Sequence, residues 1–355
     1  MANRVIFVTT LDKNASAFEG GTSRAVAWMN YLKSHNSNLK VLSLPKNFLK
    51  FPIHFLFLLT SFGNTIFYFH ASYGLNLFSN NILKRFLADF FILMLKFASK
   101  HNTLVFDIND LKYEQAIDLE LDYPDYEIIN RREKIFFSVQ GKYIFASESM
   151  REYAIKKYSL VPDDTSLCLN GATTYQLNEN KFNNLIDRDV INYVYSGTLN
   201  KGRSIEKMID AFPSSNEYHL YLLGPGGEWI TEYSVKKNNI HYLGSYSEEA
   251  AYNIVSQCDV GIIPYDDSRF YYNIAYPTKL PFYLVCGLTY LSTPVDEVKT
   301  VHNKYQVGHI AKIQDWSSTI QSITKEQIIE EQKTIEQIKT NFTWDQTLSH
   351  NVFLD

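Results

Sequence analysis

Short bursts of β-branched and aromatic residues alternate along this chain with longer stretches whose apolar positions recur at helical spacing. That is the pattern of parallel sheets covered by helices on both faces. In the first half the bursts fall at Val5–Thr9, Lys40–Leu44, Thr65–His70, Thr103–Ile108, Tyr143–Ala146 and Ser166–Leu169, with a helix expected from about Ser23 to Ser34. A polar stretch, Gln176 to Arg188, breaks the rhythm and reads as a linker. The same grammar then restarts, with strands expected at Ile191–Ser196, Tyr218–Leu223, Ile240–Leu243, Val260–Ile263 and Thr289–Ser292. Helices fit between them at Ser204–Ala211, Ser247–Gln257 and Pro277–Cys286. The expected fold class is therefore α/β: two Rossmann-like, doubly wound domains, residues 1–175 and 189–341, joined by a linker at 176–188. Open parallel sheets bind ligands at the carboxyl ends of their strands, which directs attention to the loops found there.

Composition changes this picture little. The 355 residues suffice for two cores, and 45% hydrophobic with 20% charged residues is ordinary for a globular chain. A net charge of −4 argues against a nucleic-acid partner. The three cysteines, Cys168, Cys258 and Cys286, form no paired motif, and the N-terminus runs straight into a strand pattern without signal-peptide anatomy, so a cytoplasmic location is expected. The apolar run Phe48 to Phe62 is broken by Lys50, Pro52 and His54 and is too short to span a bilayer. The unusual figure is 25 Tyr and 24 Phe, which fits either a biased coding sequence or aromatic platforms for sugar rings.

Two segments carry the candidate chemistry. In Tyr195-Ser-Gly-Thr-Leu-Asn-Lys-Gly-Arg-Ser204 a strand runs into a glycine loop bearing Lys201 and Arg203, followed by a helix start. Exposed amides at a helix start, together with cations, suit a diphosphate. The competing reading is an ordinary strand-to-helix loop with two solvated cations. In Tyr276-Pro-Thr-Lys-Leu280 a proline suits the first turn of a helix, Thr278 to Leu280 would offer free amides, and Lys279 could neutralise a phosphate. Here the competing reading is a buried helix.

These segments belong to a longer resemblance. Glu19-Gly-Gly-Thr22 after strand one, Asn170-Gly171, Gly197-Thr-Leu-Asn-Lys-Gly202, Leu222-Leu-Gly-Pro-Gly226, Ile240-His-Tyr-Leu-Gly244 and Phe342-Thr-Trp344 occur in that order. Together they resemble the GT-B glycosyltransferases of family 4 over nearly the full length. The run from Pro277 to Leu288 is similar to a bacterial subgroup that extends surface glycans or adhesin sugars. The resemblance implies two domains facing a cleft, with a C-terminal helix, 342–355, crossing back to the first. It also implies a retaining, metal-independent transfer of a hexose from a nucleotide-diphosphate sugar, by default UDP-linked, in which the donor's β-phosphate helps accept the acceptor proton. The acceptor would be a glycan, a glycoprotein or a lipid-linked sugar, and no cofactor is needed beyond the sugar nucleotide. The donor-binding set is then Gly20, Gly21, Thr22, Gly197, Thr198, Lys201, Arg203, Gly224, Tyr272, Asn273, Thr278, Lys279 and Leu280. The chain departs from the family at Phe282, where many members carry a ribose-binding Glu, and at Asn109-Asp110, where many have His before Asp.

On the acceptor side, His70 and Asp110 fall at or just past strand ends and are the catalytic candidates, each also readable as a backbone cap. Asp266 and Asp267 follow a strand and could contact the donor sugar, or simply form a turn. Asp187-Arg-Asp189 spells an acid-x-acid string but precedes a strand, so no metal site is expected. Residues 81–100 form an apolar helix with Lys84, Arg85, Lys96 and Lys100 toward its ends. It suits a peripheral membrane contact, whereas a core-facing or homo-oligomer-forming helix is the simpler reading. Two other functions stay open: a catalytically inactive partner or scaffold of another glycosyltransferase, and a sugar-nucleotide epimerase. A dehydrogenase is disfavoured because no segment offers Gly-x-Gly-x-x-Gly after a strand.

Overall fold

Among the described residues, twelve strands form two all-parallel six-stranded sheets. The structure is a computed structural model that describes residues 4–9, 20–43, 51–69, 82–121, 125–178, 182, 185–201, 204–234 and 237–350. The chain divides into two compact units, Met1–Leu169 with Leu348–Asp355, and Asn170–Thr347.

In the first unit the order along the chain is β1 (Val5–Thr9), α1 (Gly20–His35), β2 (Lys40–Ser43), α2 (Phe51–Thr60), β3 (Thr65–Tyr68) and α3 (Ile82–Ala98). It continues through β4 (Thr103–Ile108), α4 (Lys112–Asp118), α5 (Tyr126–Phe136), β5 (Lys142–Phe145), α6 (Glu148–Tyr158) and β6 (Thr165–Leu167). The sheet order β2-β1-β3-β4-β5-β6 reverses direction between β1 and β3, so the chain leaves these two strands toward opposite sides. Phenylalanine and tyrosine fill much of this core: Trp28 on Phe67 (4.8 Å), Tyr68 on Phe106 (5.5 Å) and Phe106 on Tyr143 (5.4 Å) are ring contacts among buried residues. Part of the aromatic excess is therefore packing.

The second unit contains β7 (Ile191–Ser196), α7 (Ile205–Ala211), β8 (Tyr218–Leu223), β9 (Ile240–Gly244), α8 (Glu248–Val255) and β10 (Val260–Ile263). After these come α9 (Phe270–Ile274), α10 (Lys279–Val285), β11 (Thr289–Ser292), α11 (Asp296–Tyr305), β12 (His309–Ile310), α12 (Trp316–Ser322), α13 (Lys325–Ile338) and α14 (Trp344–Ser349). Its order, β12-β11-β10-β7-β8-β9, reverses between β7 and β10. Tyr193, Leu220, Val260 and Leu291 of its strands are buried with Trp316 and Ile320 of α12 in one apolar core.

Several elements differ from the sequence reading. Helix α1 starts at Gly20 rather than Ser23, because the first turn of a helix needs no intrahelical amide partner and tolerates glycine. Strand β3 stops at Tyr68, two residues before His70. Helix α2 was hidden by Pro52 and His54: the proline occupies the second helical position, where its missing amide costs nothing, and the histidine is buried. Burial pushes His54 down to about 4, and its Nε2 lies 3.3 Å from the Tyr68 hydroxyl. The boundary between units falls at Leu169, and the polar stretch after it groups with the second unit. There the Asn178 amide donates to Asn253 Oδ1 and the Asp187 amide to the Tyr221 hydroxyl. Ala172 and Thr343 form a parallel bridge, which keeps Phe342 and the start of α14 with the second unit.

A buried carboxylate of the first unit, Glu133, sets a pH dependence. Glu133 accepts from the Lys112 and Tyr113 amides (2.7 and 3.3 Å) and from the Tyr158 hydroxyl (2.8 Å), while Glu114 pairs with Lys157. Burial, then the neighbouring Glu114, pushes Glu133 up to about 7. A carboxyl raised above its unfolded value holds its proton more tightly in the folded state. Its contribution is therefore complete below the unfolded value near 4.5 and is lost as pH rises to about 7. Relative to Glu133→Gln, the unaltered protein should gain roughly 1–3 kcal/mol as pH falls from 8 to 5. Urea unfolding at both pH values measures it, and a constant difference between the two proteins would reject the assignment.

Candidate functional site

At the switch point of the second sheet, around the carboxyl ends of β7 and β10, lie Gly197, Gly224 and Lys279 of the expected donor residues. Strand β7 hands the chain to Gly197 (φ 149°) and β8 to Gly224 (φ 141°), backbone conformations that L side chains rarely adopt. The two loops are sewn together: the Gly197 amide donates to the Leu223 carbonyl (2.9 Å) and the Leu199 amide to the Pro225 carbonyl (2.9 Å). A Cβ on Gly224 would overlap the Gly197 carbonyl, and one on Gly197 would meet Lys279 Cε and Nζ at 3.0 Å. Glycine at 197 thus leaves room for Lys279, and glycine at 224 lets the two loops pack directly on each other. Gly224→Ala should lose roughly 1–3 kcal/mol of stability from backbone strain and should misplace the Gly197 loop; a thermal melt matching the unaltered protein would contradict this.

Lys279 is the first residue of α10, and three contacts fix that helix. Tyr283 lies flat on Gly261 of β10, and its hydroxyl donates to the Ile262 carbonyl (3.2 Å) while accepting from the Ser196 amide (3.1 Å). The Lys279 ammonium lies 4.9 Å from the Tyr195 ring centroid and 5.6 Å from that of Tyr265. Cation–π attraction of this kind steers the charge without neutralising it. The Tyr195 hydroxyl donates to the Thr198 carbonyl (3.0 Å), and Tyr265 stacks on Tyr272 (4.7 Å). The result is a cation in a glycine-walled, tyrosine-lined corner, an arrangement able to hold an anion and an aromatic or sugar ring beside it.

The remaining predicted residues divide by what engages them. Lys201 lies in the turn after β7 with its ammonium 5.4 Å from the Trp229 ring, and the Trp229 indole donates to the Leu199 carbonyl (2.8 Å). Thr278 precedes α10 without a side-chain cap, whereas the Leu280 amide donates to the Pro277 carbonyl (3.1 Å) and its side chain is fully buried. Leu280 therefore serves packing, and its amide is not the free donor expected. Asn273 donates to the Asp267 and Arg269 carbonyls (2.8 and 3.0 Å), bracing the turn before α9. Asp266 accepts from the Ser268 hydroxyl (2.6 Å) and amide (3.2 Å), bonds that hold its carboxyl below the ordinary range. At Asp266 the turn reading describes the geometry. Asp187 Oδ1 likewise accepts from the Asp189 amide (3.0 Å) ahead of β7.

In the first unit Gly20, Gly21 and Thr22 open α1, and Asp110 lies two residues past β4, 3.3 Å from Lys112 Nζ. His70 and Arg203 lie outside the described residues. Sequence reasoning missed Tyr265 and Trp229 as site residues. The signal that could have found them was an aromatic close after a strand end at the switch point, together with the Gly224-Pro-Gly-Gly227 run that turns the chain toward Trp229.

No family model matches the sequence, and no curated protein matches it. Solved structures do match in fold. Sucrose-phosphate synthase from Thermosynechococcus elongatus superposes with a TM-score of 0.67 at 13% identity, covering 98% of this chain and 97% of that one. Anabaena HepE in complex with UDP-glucose gives 0.66 at 11% identity, covering 98% and 97%. The lipopolysaccharide outer core galactosyltransferase WaaB gives 0.61 at 12% identity, covering 99% of both chains. The chain thus shares the GT-B fold of two Rossmann-like domains with these proteins.

Proposed function

We propose that this chain is a glycosyltransferase of the family 4 kind, binding a UDP-linked hexose in its second unit and transferring the hexose to a sugar acceptor in bacterial surface polysaccharide or glycoprotein assembly. The observation that carries this reading is the Lys279 ammonium reaching Gly197, beside the Tyr195 ring, at the switch point of the sheet. A similar fold in HepE is described in complex with UDP-glucose, which supports the choice of donor. In the reaction the bond from the anomeric carbon to the diphosphate oxygen breaks and a bond to the acceptor hydroxyl forms. Lys279, with Lys201 and, one residue after Gly202 in sequence, Arg203, stabilises the charge that accumulates on the departing diphosphate. Tyr265 and Tyr272 present aromatic faces beside it. Retention follows if the acceptor attacks on the face the diphosphate leaves, with a phosphate oxygen taking the acceptor proton. Asp110, next to Lys112, is the described residue proposed to orient the acceptor hydroxyl.

A thermal-shift panel of sugar nucleotides tests the reading, because a ligand of the folded state alone raises apparent stability. UDP-hexoses should raise the midpoint and adenosine or guanosine diphosphate sugars should not. No response to any nucleotide sugar would reject it. The lysines supply the countercharge that a divalent cation would otherwise provide, so we expect turnover to survive EDTA. Loss of activity restored by manganese would overturn metal independence.

A further inference from the structure

We propose that the joined outer faces of α2 and α3 form a docking surface for an anionic lipid bilayer. Helix α3 buries Ala88, Phe91, Ile92 and Leu95, yet its opposite stripe, Phe86, Phe90, Leu93 and Phe97 at helical spacing, is apolar and exposed. Helix α2 adds Leu56 and Leu59, and Phe62 two residues past it is exposed as well. Exposures of 66% for Phe86, 62% for Leu56, 58% for Phe62 and 57% for Leu93 are far beyond what a packed face allows. The two faces are continuous. Phe55 meets Phe90 edge to face (4.9 Å), and Phe62 and Phe97 both lie against His101 (5.1 and 5.4 Å). Contiguous exposed apolar surface of this kind marks an interaction site.

Charge identifies the occupant. Between residues 82 and 101 the sequence holds the cations Lys84, Arg85, Lys96 and Lys100 against a single acid, Asp89, which Arg132 Nε engages at 3.1 Å. An exposed apolar helix face on a segment with this excess of positive charge suits insertion at the level of anionic headgroups. A second copy is disfavoured, since a two-fold contact sets the same patch against itself and brings these like charges together. Spanning is not available either: among the described residues no helix is long and apolar enough to cross a membrane. The surface lies in the first unit, outside the nucleotide site, and does not depend on the proposed transfer activity.

Vesicle flotation decides it, using phosphatidylcholine alone and phosphatidylcholine mixed with phosphatidylglycerol. The unaltered protein should float with the mixed vesicles and remain in solution with the neutral ones. Leu93→Glu and Leu56→Glu should each lower partitioning by roughly tenfold or more, as expected for placing a charge where apolar surface inserts. Lys100→Gln should lower it about fivefold, the effect of one surface lysine near an anionic headgroup layer. Because Leu56 and Leu93 are exposed, both variants should melt with the unaltered protein and keep its UDP affinity. The proposal fails if the protein ignores both vesicle types, if it binds neutral vesicles equally well, or if neither glutamate substitution changes partitioning. It also fails if sedimentation without lipid reveals a dimer that Leu93→Glu dissociates.

Discussion

Under the proposed donor assignment, Lys279→Ala should weaken UDP binding by roughly tenfold to a hundredfold, the loss of about 1.5–3 kcal/mol expected when a charge-assisted phosphate contact is removed. The fold should survive, because α10 is held by Tyr283 against Gly261 and by buried Leu280 and Leu284 rather than by the lysine. In the proposed transfer, turnover should fall at least as far as affinity, since negative charge on a leaving diphosphate would grow as the bond to the sugar breaks. Calorimetry with UDP on Lys279→Ala, Arg203→Ala and Asp110→Ala separates the roles. The two cation variants should lose nucleotide affinity, and Asp110→Ala should keep it while losing turnover. Equal losses at all three positions would mean that the nucleotide is not confined to the second unit. Normal affinity in Lys279→Ala would place the phosphate seat elsewhere.

Asp107→Ala should be the most damaging single change to stability in the first unit. Arg24 and Asp107 are both fully buried and form a two-pronged pair, Nη2 to Oδ1 at 2.6 Å and Nε to Oδ2 at 2.9 Å. Trp28 donates its indole to the same Oδ1 (3.1 Å), and Arg24 Nη1 donates to the Cys168 carbonyl (2.9 Å). Burial is the largest influence and lowers the guanidinium's pKa, but Asp107 and Cys168 together outweigh it and hold Arg24 above its ordinary value. Removing the aspartate strands a desolvated cation and an indole donor, a change that typically costs about 3–5 kcal/mol. Arg24→Met with Asp107→Leu should cost less than Asp107→Ala, because two apolar side chains leave no charge unpaired. Urea unfolding measures both, and a loss under about 1 kcal/mol for Asp107→Ala would show that water reaches Arg24. This pair ties α1 to β4, so its loss should also loosen the turn that Gly20 and Gly21 open.

The strands were legible because a parallel strand covered on both faces is written as a local apolar run. β1, β4, β7, β8, β10 and β11 lie where that pattern puts them. Helix α2 was not legible, since a proline and a histidine inside an apolar run are read as interruptions. Only the three-dimensional packing shows the first at a harmless position and the second beneath Tyr68. Asp107 reads in sequence as a polar residue in an apolar strand, and its partner stands 83 positions earlier, a distance no local pattern spans.

The sequence by itself determined the α/β class, the repetition of one strand-and-helix grammar in two halves, and the glycines and lysines at strand ends, because each is a property of neighbouring residues. Tertiary structure decided the strand orders and hence the switch point between β7 and β10. It also set Lys279 against Gly197, 82 positions away, assigned Asp266 and Leu280 to local bracing and packing, and left Phe86 and Leu93 facing outward. The physical reason is that sheet order and side-chain company follow from long-range packing, where burial of the whole apolar surface outweighs the preference of any one segment.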